Sequence, residues 1–224
     1  SLTKRTFDIL ISLISLVILI PLFIPIIFIL KFTGEGEIFY LQERIGRNQV
    51  PFKIFKFVTM VKNSANMGTG TITMKNDPRI LPVGSFLRKT KINELPQLLN
   101  ILIGDISVIG PRPLTTETFN AYTIEDQRII SKVKPGLSGI GSIVFRGEEE
   151  IMQGASASRD FYINEIAPYK AELEKWFVQN KSLYLYFKAI FVTLWVVIFS
   201  NSSKPWNLFQ GLPKPPKKLK KYFE

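Results

Sequence analysis

The sequence predicts an α+β fold, mainly helical, anchored in a membrane by its N-terminal segment. Three observations carry that expectation. Residues 9–30, ILISLISLVILIPLFIPIIFIL, are uncharged and bounded by Asp8 and Lys31. A run of that length can cross a hydrocarbon core of about 30 Å as one helix. Residues 94–103 carry apolar side chains at three- and four-residue spacing, the period of an amphipathic helix. Residues 51–60, PFKIFKFVTM, alternate aromatics with lysines, as in a strand or an interfacial ribbon.

Composition narrows the chemistry. The 224 residues hold 29 Lys+Arg against 18 Asp+Glu, a net charge of +11. That balance implies anionic partners: nucleic acid, anionic lipid or phosphorylated substrates. There is no cysteine and no histidine. Disulfides, thiol nucleophiles, Cys/His zinc sites and imidazole-based triads are therefore excluded. Acid–base or nucleophilic work falls to carboxylates, Lys, Tyr, hydroxyls or a metal held by oxygen ligands. The length suits one domain with appendages, and no internal repeat is present.

In chain order, residues 1–5 are short and basic. The apolar run that follows is too long for a signal peptide and lacks a small-residue cleavage site. Pro21 and Pro25 each remove a helix hydrogen bond, which predicts a kink near residues 19–21. Lys4 and Arg5 precede the run and Lys31 follows it, so the positive-inside rule fixes no transverse orientation. A plain spanning helix and a helix broken at mid-depth that returns to its starting face both remain open.

Residues 37–41 are β-prone, and residues 63–76 read as a polar surface loop. For the helix at 94–103, Asn93 is the expected N-cap, Pro96 falls in the first turn and Gly104 ends it. Arg88, Lys89 and Lys91 surround its start, Glu94 lies in its first turn, and Arg112 sits between Pro111 and Pro113. A helix N-terminus flanked by guanidinium groups favours an anion, because free N–H groups and Arg donors match phosphate oxygens. Residues 117–133 are polar and weakly helical, and 165–175 are helical and charged. Residues 183–199, with Lys188 the single charge, read as a core helix or one grazing a membrane. Residues 204–224, rich in Lys and Pro, are expected to be extended, each lysine gaining roughly 1 kcal/mol near an anionic leaflet.

Several of these segments, in order, resemble the catalytic core of the bacterial sugar transferases called monotopic phosphoglycosyl transferases. They are Leu87-Arg88-Lys89, Glu94-Leu95-Pro96-Gln97-Leu98, Gly104-Asp105, Ser107, Gly110-Pro111-Arg112-Pro113 and Glu117. Gln42, Arg44 and Gly46 match the family's Q-x-R-x-G turn, which implies a turn at residues 42–46, and Asn76-Asp77-Pro78-Arg79 and the Lys134–Gly139 segment match further motifs. The chain departs from the family at Val58, where an Arg is usual, and at residues 144–147, where only Arg146 of an N-G-R-like turn is kept. It also has Asn93 where the family has the nucleophilic Asp of an Asp-Glu dyad.

The resemblance implies a monotopic membrane protein. Residues 1–32 would form a re-entrant membrane helix with its break at Ile20-Pro21. Residues 33–200 would form the catalytic domain with interfacial helices, on the cytoplasmic face of the bacterial inner membrane, and residues 201–224 a basic tail. The implied reaction moves a sugar phosphate from a nucleotide diphosphate sugar, expected to be a UDP-sugar, to polyprenyl phosphate. It releases a nucleoside monophosphate and is the first membrane step of surface glycan assembly (O-antigen, capsule, exopolysaccharide or glycoprotein). Asn93 and Glu94 would occupy the catalytic positions, Arg88, Arg112 and Arg146 would hold phosphates, and Glu94 would carry Mg²⁺. For Asp77, Asp105 and Glu117, a metal role and local turn or cap roles stand side by side. The implied partners are the two substrates and membrane lipid, with no nucleic acid, and a homo-oligomer is a further expectation.

A carboxylate can attack phosphorus, and a neutral amide essentially cannot. Asn93 therefore leaves three readings: Glu94 attacks instead, the polyprenyl phosphate attacks directly, or activity is lost. Two other classes also fit the charge and the anchor. One is a non-catalytic scaffold of a glycan assembly complex; the other is a basic membrane-anchored anion-binding module, which should interleave cations with exposed aromatics.

Overall fold

A computed structural model describes residues 2–33, 35–67, 77–152, 159–199 and 205–223. Residues 68–76, most of the expected surface loop together with Asn76 of the N-D-P-R motif, lie outside the described residues. The chain divides into two compact units, Ser1–Glu43 with Lys53–Gly104 and Arg44–Phe52 with Asp105–Glu224.

In the first unit, α1 (Leu2–Phe32) stays helical through both Pro21 and Pro25. Its C-terminal part supplies Ile26 and Leu30 to a core with Phe57 and Leu87, flanked by Phe23, Ile38, Val83 and Ile92. The Phe23 and Phe57 rings meet edge to face at 5.3 Å. At the other end of α1, Arg5 donates to the carbonyl oxygens of Ile101 and Leu102, the latter at 2.7 Å. Those carbonyls end α3 and have no partner inside the helix, and a cation there also complements the helix dipole. Asp8 and Ser12 are buried, whereas no side chain from residue 13 to 25 is.

β1 (Phe39–Ile45) pairs with β2 (Pro51–Phe57). The expected turn at 42–46 is displaced. Residues 42–45 continue β1, and the reversal comes at 46–50, where Asn48 and Gln49 take left-handed φ values of 56° and 63°. Asn tolerates that conformation through its short polar side chain. α2 (Pro82–Lys89) starts on Pro82, a 3₁₀ turn spans Ile92–Glu94, and α3 (Gln97–Ile103) ends at Gly104 with φ 105°.

In the second unit, β3 (Ser107–Ile109) runs parallel to β4 (Gly136–Ser138), with Ser107 opposite Gly136 and Ile109 opposite Ser138. Between them, α4 (Thr116–Phe119) and α5 (Ile124–Ile130) are capped by Thr115 and Thr123, which accept from the N–H groups of Thr118 and Asp126. After β4 come α6 (Ile140–Val144), α7 (Glu148–Ile151) and α8 (Arg159–Phe161). A π turn (Tyr162–Ile166) then leads into α9 (Ala167–Asn180), followed by α10 (Leu183–Ile198). Leu114, Phe119, Tyr122, Ile130, Ala167 and Ala171 form a core cluster of this unit.

α10 resolves the choice between core helix and exposed helix by being both. Leu185, Tyr186, Ala189 and Val192 are buried, and each large side chain so placed contributes roughly 1.5–3 kcal/mol. On the opposite face Tyr184, Phe187, Phe191, Leu194 and Trp195 are exposed.

The C-terminal residues depart from the extended tail expected of them. α11 (Pro205–Leu208) and α12 (Lys217–Lys220) fold back, and Phe209, Leu212 and Leu219 are buried. Apolar side chains spaced among the lysines drive this, a pattern that the lysine and proline content concealed.

Candidate active site

The motif-bearing residues 87–104 form α2, the 3₁₀ turn and α3. The expected helix start at Glu94 is corrected to Gln97. Glu94 and Leu95 donate three residues back, to Lys91 and Ile92 at 3.1 Å each, so the chain is still in a tight 3₁₀ path. Pro96 has no N–H to donate to Ile92, which delays the wider α-helical pattern.

Asn93 is consequently not an N-cap. It is 8% exposed inside the 3₁₀ turn, and among the described residues nothing donates a hydrogen bond to its Oδ1. A buried acceptor without a donor costs about 1–3 kcal/mol, and the site retains it. Glu94, the next residue, is half-buried, as is Arg88 in the last turn of α2. Arg88, Asn93 and Glu94 thus belong to the first unit, and Arg112 and Arg146 to the second.

The Gly110–Pro113 segment lies backbone to backbone against Pro135–Gly139. A Cβ at Gly136 would come 2.0 Å from the Gly110 nitrogen, and one at Gly139 2.0 Å from the Gly110 oxygen. No residue but glycine fits either place. Beneath the segment, the backbone N–H of Arg112 donates to Glu174 Oε1 of α9 at 3.2 Å. Glu174 is 2% exposed and nothing described donates to its Oε2. A Cβ on Gly141 would meet Oε1 at 2.4 Å, so that glycine leaves room for the carboxyl. One turn earlier, buried Lys170 pairs with Glu148 at 2.8 and 2.9 Å. Burial works to lower the Lys170 pKa, and the Glu148 charge outweighs it, holding the ammonium above its ordinary value.

Burial pushes the Glu174 carboxyl up to about 7, against the opposing pull of the Arg112 N–H and the Lys170 and Arg112 charges. Folding therefore favours the protonated form. Stability is greatest below the ordinary carboxylate range and falls as pH rises toward 7, by on the order of 3 kcal/mol. Glu174→Gln keeps the acceptor for Arg112 and cannot ionise. Melting curves at pH 5 and pH 8 should differ less for Glu174→Gln than for the parent, and an unchanged difference would contradict this account.

Other motif residues have structural work. Both oxygens of Asp77 are taken by Arg79, at 2.8 Å from Nε and 2.5 Å from a terminal nitrogen, and Arg79 also reaches the Ser64 and Met67 carbonyls. The buried pair thus ties residues 77–79 to the backbone at Ser64 and Met67. Glu117 is exposed and lies 3.4 Å from Arg159. Arg146 is exposed, with one nitrogen 3.5 Å from the Val197 carbonyl. Sequence reasoning missed Glu174 and Lys170, because two charges one helical turn apart read as a solvated face.

The sequence model of the bacterial sugar transferase family matches residues 1–200, which include α1, Asn93-Glu94, the Gly110–Pro113 segment and α10. The chain belongs to that family. It is 33% identical over 215 residues to the exopolysaccharide production protein ExoY of Sinorhizobium fredii, covering 90% of this chain and 88% of the relative. It is 31% identical to the UDP-glucose:undecaprenyl-phosphate glucose-1-phosphate transferase of Klebsiella pneumoniae, over 89% of this chain and 41% of that one. To the undecaprenyl-phosphate galactose phosphotransferase of Salmonella typhimurium it is 32% identical, over 87% of this chain and 40% of that one. This sugar transferase thus spans about two fifths of the latter two and nearly all of the first.

Among the described residues no three carboxylates cluster as a metal cage. Mg²⁺ commonly takes only one or two carboxylates and completes its shell with water and substrate phosphates. Glu94, half-buried in the 3₁₀ turn, offers one carboxylate of that kind.

Proposed function

We propose that the chain transfers a sugar phosphate from a UDP-sugar to a polyprenyl phosphate, opening the assembly of a surface glycan. The observation that carries this is the family match over residues 1–200 together with relatives named for that transfer. A bond forms between an oxygen of the polyprenyl phosphate and the sugar-bearing phosphorus. The bond from that phosphorus to the bridging oxygen breaks, and the oxygen leaves with UMP.

Direct attack by the polyprenyl phosphate is the route we favour. Asn93 has no charge to attack with, and Glu94 lies about a third of a turn round the 3₁₀ axis, so its carboxylate cannot take the same place. Arg88, Arg112 and Arg146 would neutralise phosphate charge, since phosphoryl transfer depends mainly on positioning and electrostatics. Glu94 would hold Mg²⁺, which when bound neutralises charge on the phosphate oxygens. Release of UMP from UDP-glucose or UDP-galactose, dependent on added undecaprenyl phosphate, is the test. No release from either, with folded protein and with activity also absent in Asn93→Asp, would favour the scaffold instead.

The same reading makes α1 re-entrant, with the catalytic part on the cytoplasmic face of the inner membrane. A straight helix of 31 residues would separate its ends by roughly 45 Å, on opposite faces of a bilayer. Yet Arg5 is bound to α3 at one end of α1, and Leu30 is packed with Phe57 and Leu87 at the other. The middle carries Val17 at 60% and Ile18 at 69% exposure, apolar side chains that suit lipid. The exposed aromatic face of α10 suits the lipid interface as well. A cysteine introduced at Leu2 should stay unlabelled by an impermeant thiol reagent in intact cells and react after permeabilisation. Labelling in intact cells would mean a spanning helix.

A further inference from the structure

The segment Pro205–Phe223 lies outside the family match and is held to α9 and its surroundings along its whole length. Trp206 Nε1 donates to the Tyr169 hydroxyl at 3.0 Å and to the Pro213 carbonyl at 2.8 Å, and the Tyr169 hydroxyl donates to the same carbonyl at 2.9 Å. Phe209 meets Trp176 edge-on at 6.2 Å, and Gly211, with φ 76°, turns the chain. Leu219 is fully buried, Lys218 pairs with Glu165 at 2.5 Å, and Tyr222 meets Phe161 at 6.1 Å. The far end closes on Phe145: the Phe223 ring stands edge-on to Phe145 at 5.3 Å, with Trp206 at 5.4 Å and Tyr169 at 6.2 Å from Phe223.

Phe145 precedes Arg146 and lies three residues before the start of α7. Its other neighbours are Tyr169, at 5.7 Å, and the Lys170 ammonium, 5.4 Å from the ring centre. Lys170 in turn holds Glu148. The segment 145–148 is thus fixed on one side by the Lys170–Glu148 pair and on the other by the C-terminal aromatics. Arg146 itself is exposed and its guanidinium makes one long hydrogen bond, 3.5 Å to the Val197 carbonyl, so the flanking anchors set where its backbone sits. Edge-to-face aromatic pairs of this kind stabilise beyond the area that they bury.

We propose that residues 205–223 form a strap that positions the Phe145–Glu148 segment, and through it Arg146, for substrate phosphate. Phe223 is the positioning residue at its tip. The proposal rests on the transferase reading only for the role of Arg146; the positioning itself is independent of it.

Hydrogen exchange on the full detergent-solubilised chain tests the positioning. Phe223→Ala should speed exchange at the amides of 145–151 and leave α5 unchanged, whereas Phe223→Trp should restore the parent pattern. Activity tests the consequence. Phe223→Ala should lower kcat/KM roughly tenfold, less than the ~100-fold cost of a 1 Å misplacement. The effect should be non-additive with Arg146→Ala, as for two groups acting through one contact. Lys218→Gln, which removes only an exposed ion pair, should change neither reading. Unchanged exchange at 145–151 in Phe223→Ala overturns the strap, and so does a uniform rise that includes α5, which would mean simple loss of stability. Faster exchange at 145–151 with full activity, or additivity with Arg146→Ala, overturns its role in positioning Arg146. An inactive parent chain would instead sink the transferase reading, and exchange would still decide whether the strap holds.

Discussion

Glu94→Gln should lower kcat by at least ~100-fold, the usual cost of removing one preorganised charge from a phosphate-handling site. Asn93→Asp should preserve or raise turnover by restoring the family's acidic pair. The two substitutions also separate the chemical routes. With UDP-sugar alone and no acceptor, Asn93→Asp should gain the mass of a sugar phosphate, because a carboxylate at that place can attack phosphorus. The parent should gain nothing under the same conditions. An adduct on the parent that is absent from Glu94→Gln would make Glu94 the nucleophile and overturn direct transfer. Full activity in Glu94→Gln would contradict the assignment of Glu94 altogether. Asn93 is 8% exposed, so a charge placed there is desolvated. Asn93→Asp should therefore lose on the order of 1 kcal/mol of stability at neutral pH, where a cap residue would have lost almost nothing.

That difference marks where the sequence stops being legible. The period of residues 94–103 announced a helix, and α3 is there, ending on Gly104. The period could not say that Pro96 would hold the preceding turn in 3₁₀ geometry, and with it bury Asn93 rather than leave it capping. Long apolar runs were similarly readable: α1 and α10 both exist. Hydrophobicity alone did not say that α10 divides its faces between a core and an exposed aromatic surface, since apolar side chains occupy both faces. Buried charge was the hardest feature to foresee. Lys170 and Glu174 are ordinary surface residues by type, and only the packing of α9 under the Arg112 backbone turns them inward. The C-terminal residues misled for the opposite reason, because their lysines outnumber the few aromatics that fasten them down.

Arg112→Ala should cost ~100- to 1,000-fold in kcat/KM if its guanidinium neutralises phosphate charge as proposed. The fold should survive that change. One contact that ties this segment to α9 is the backbone N–H of Arg112 on Glu174 Oε1, which any residue at 112 except proline can make. The flanking Pro111 and Pro113 and the close approach of Gly110 to Gly136 hold the backbone whatever the side chain. The melting temperature should accordingly stay within about 3 °C of the parent, roughly the shift that 1 kcal/mol produces in a chain of this size. Arg112→Lys separates charge from geometry. An ammonium supplies the charge without the planar pair of donors, so it should recover part of the rate and leave KM for the UDP-sugar raised. Near-normal turnover by well-folded Arg112→Ala would remove Arg112 from the phosphate site. A collapse in melting temperature would mean that its side chain, rather than its backbone, holds the segment to α9.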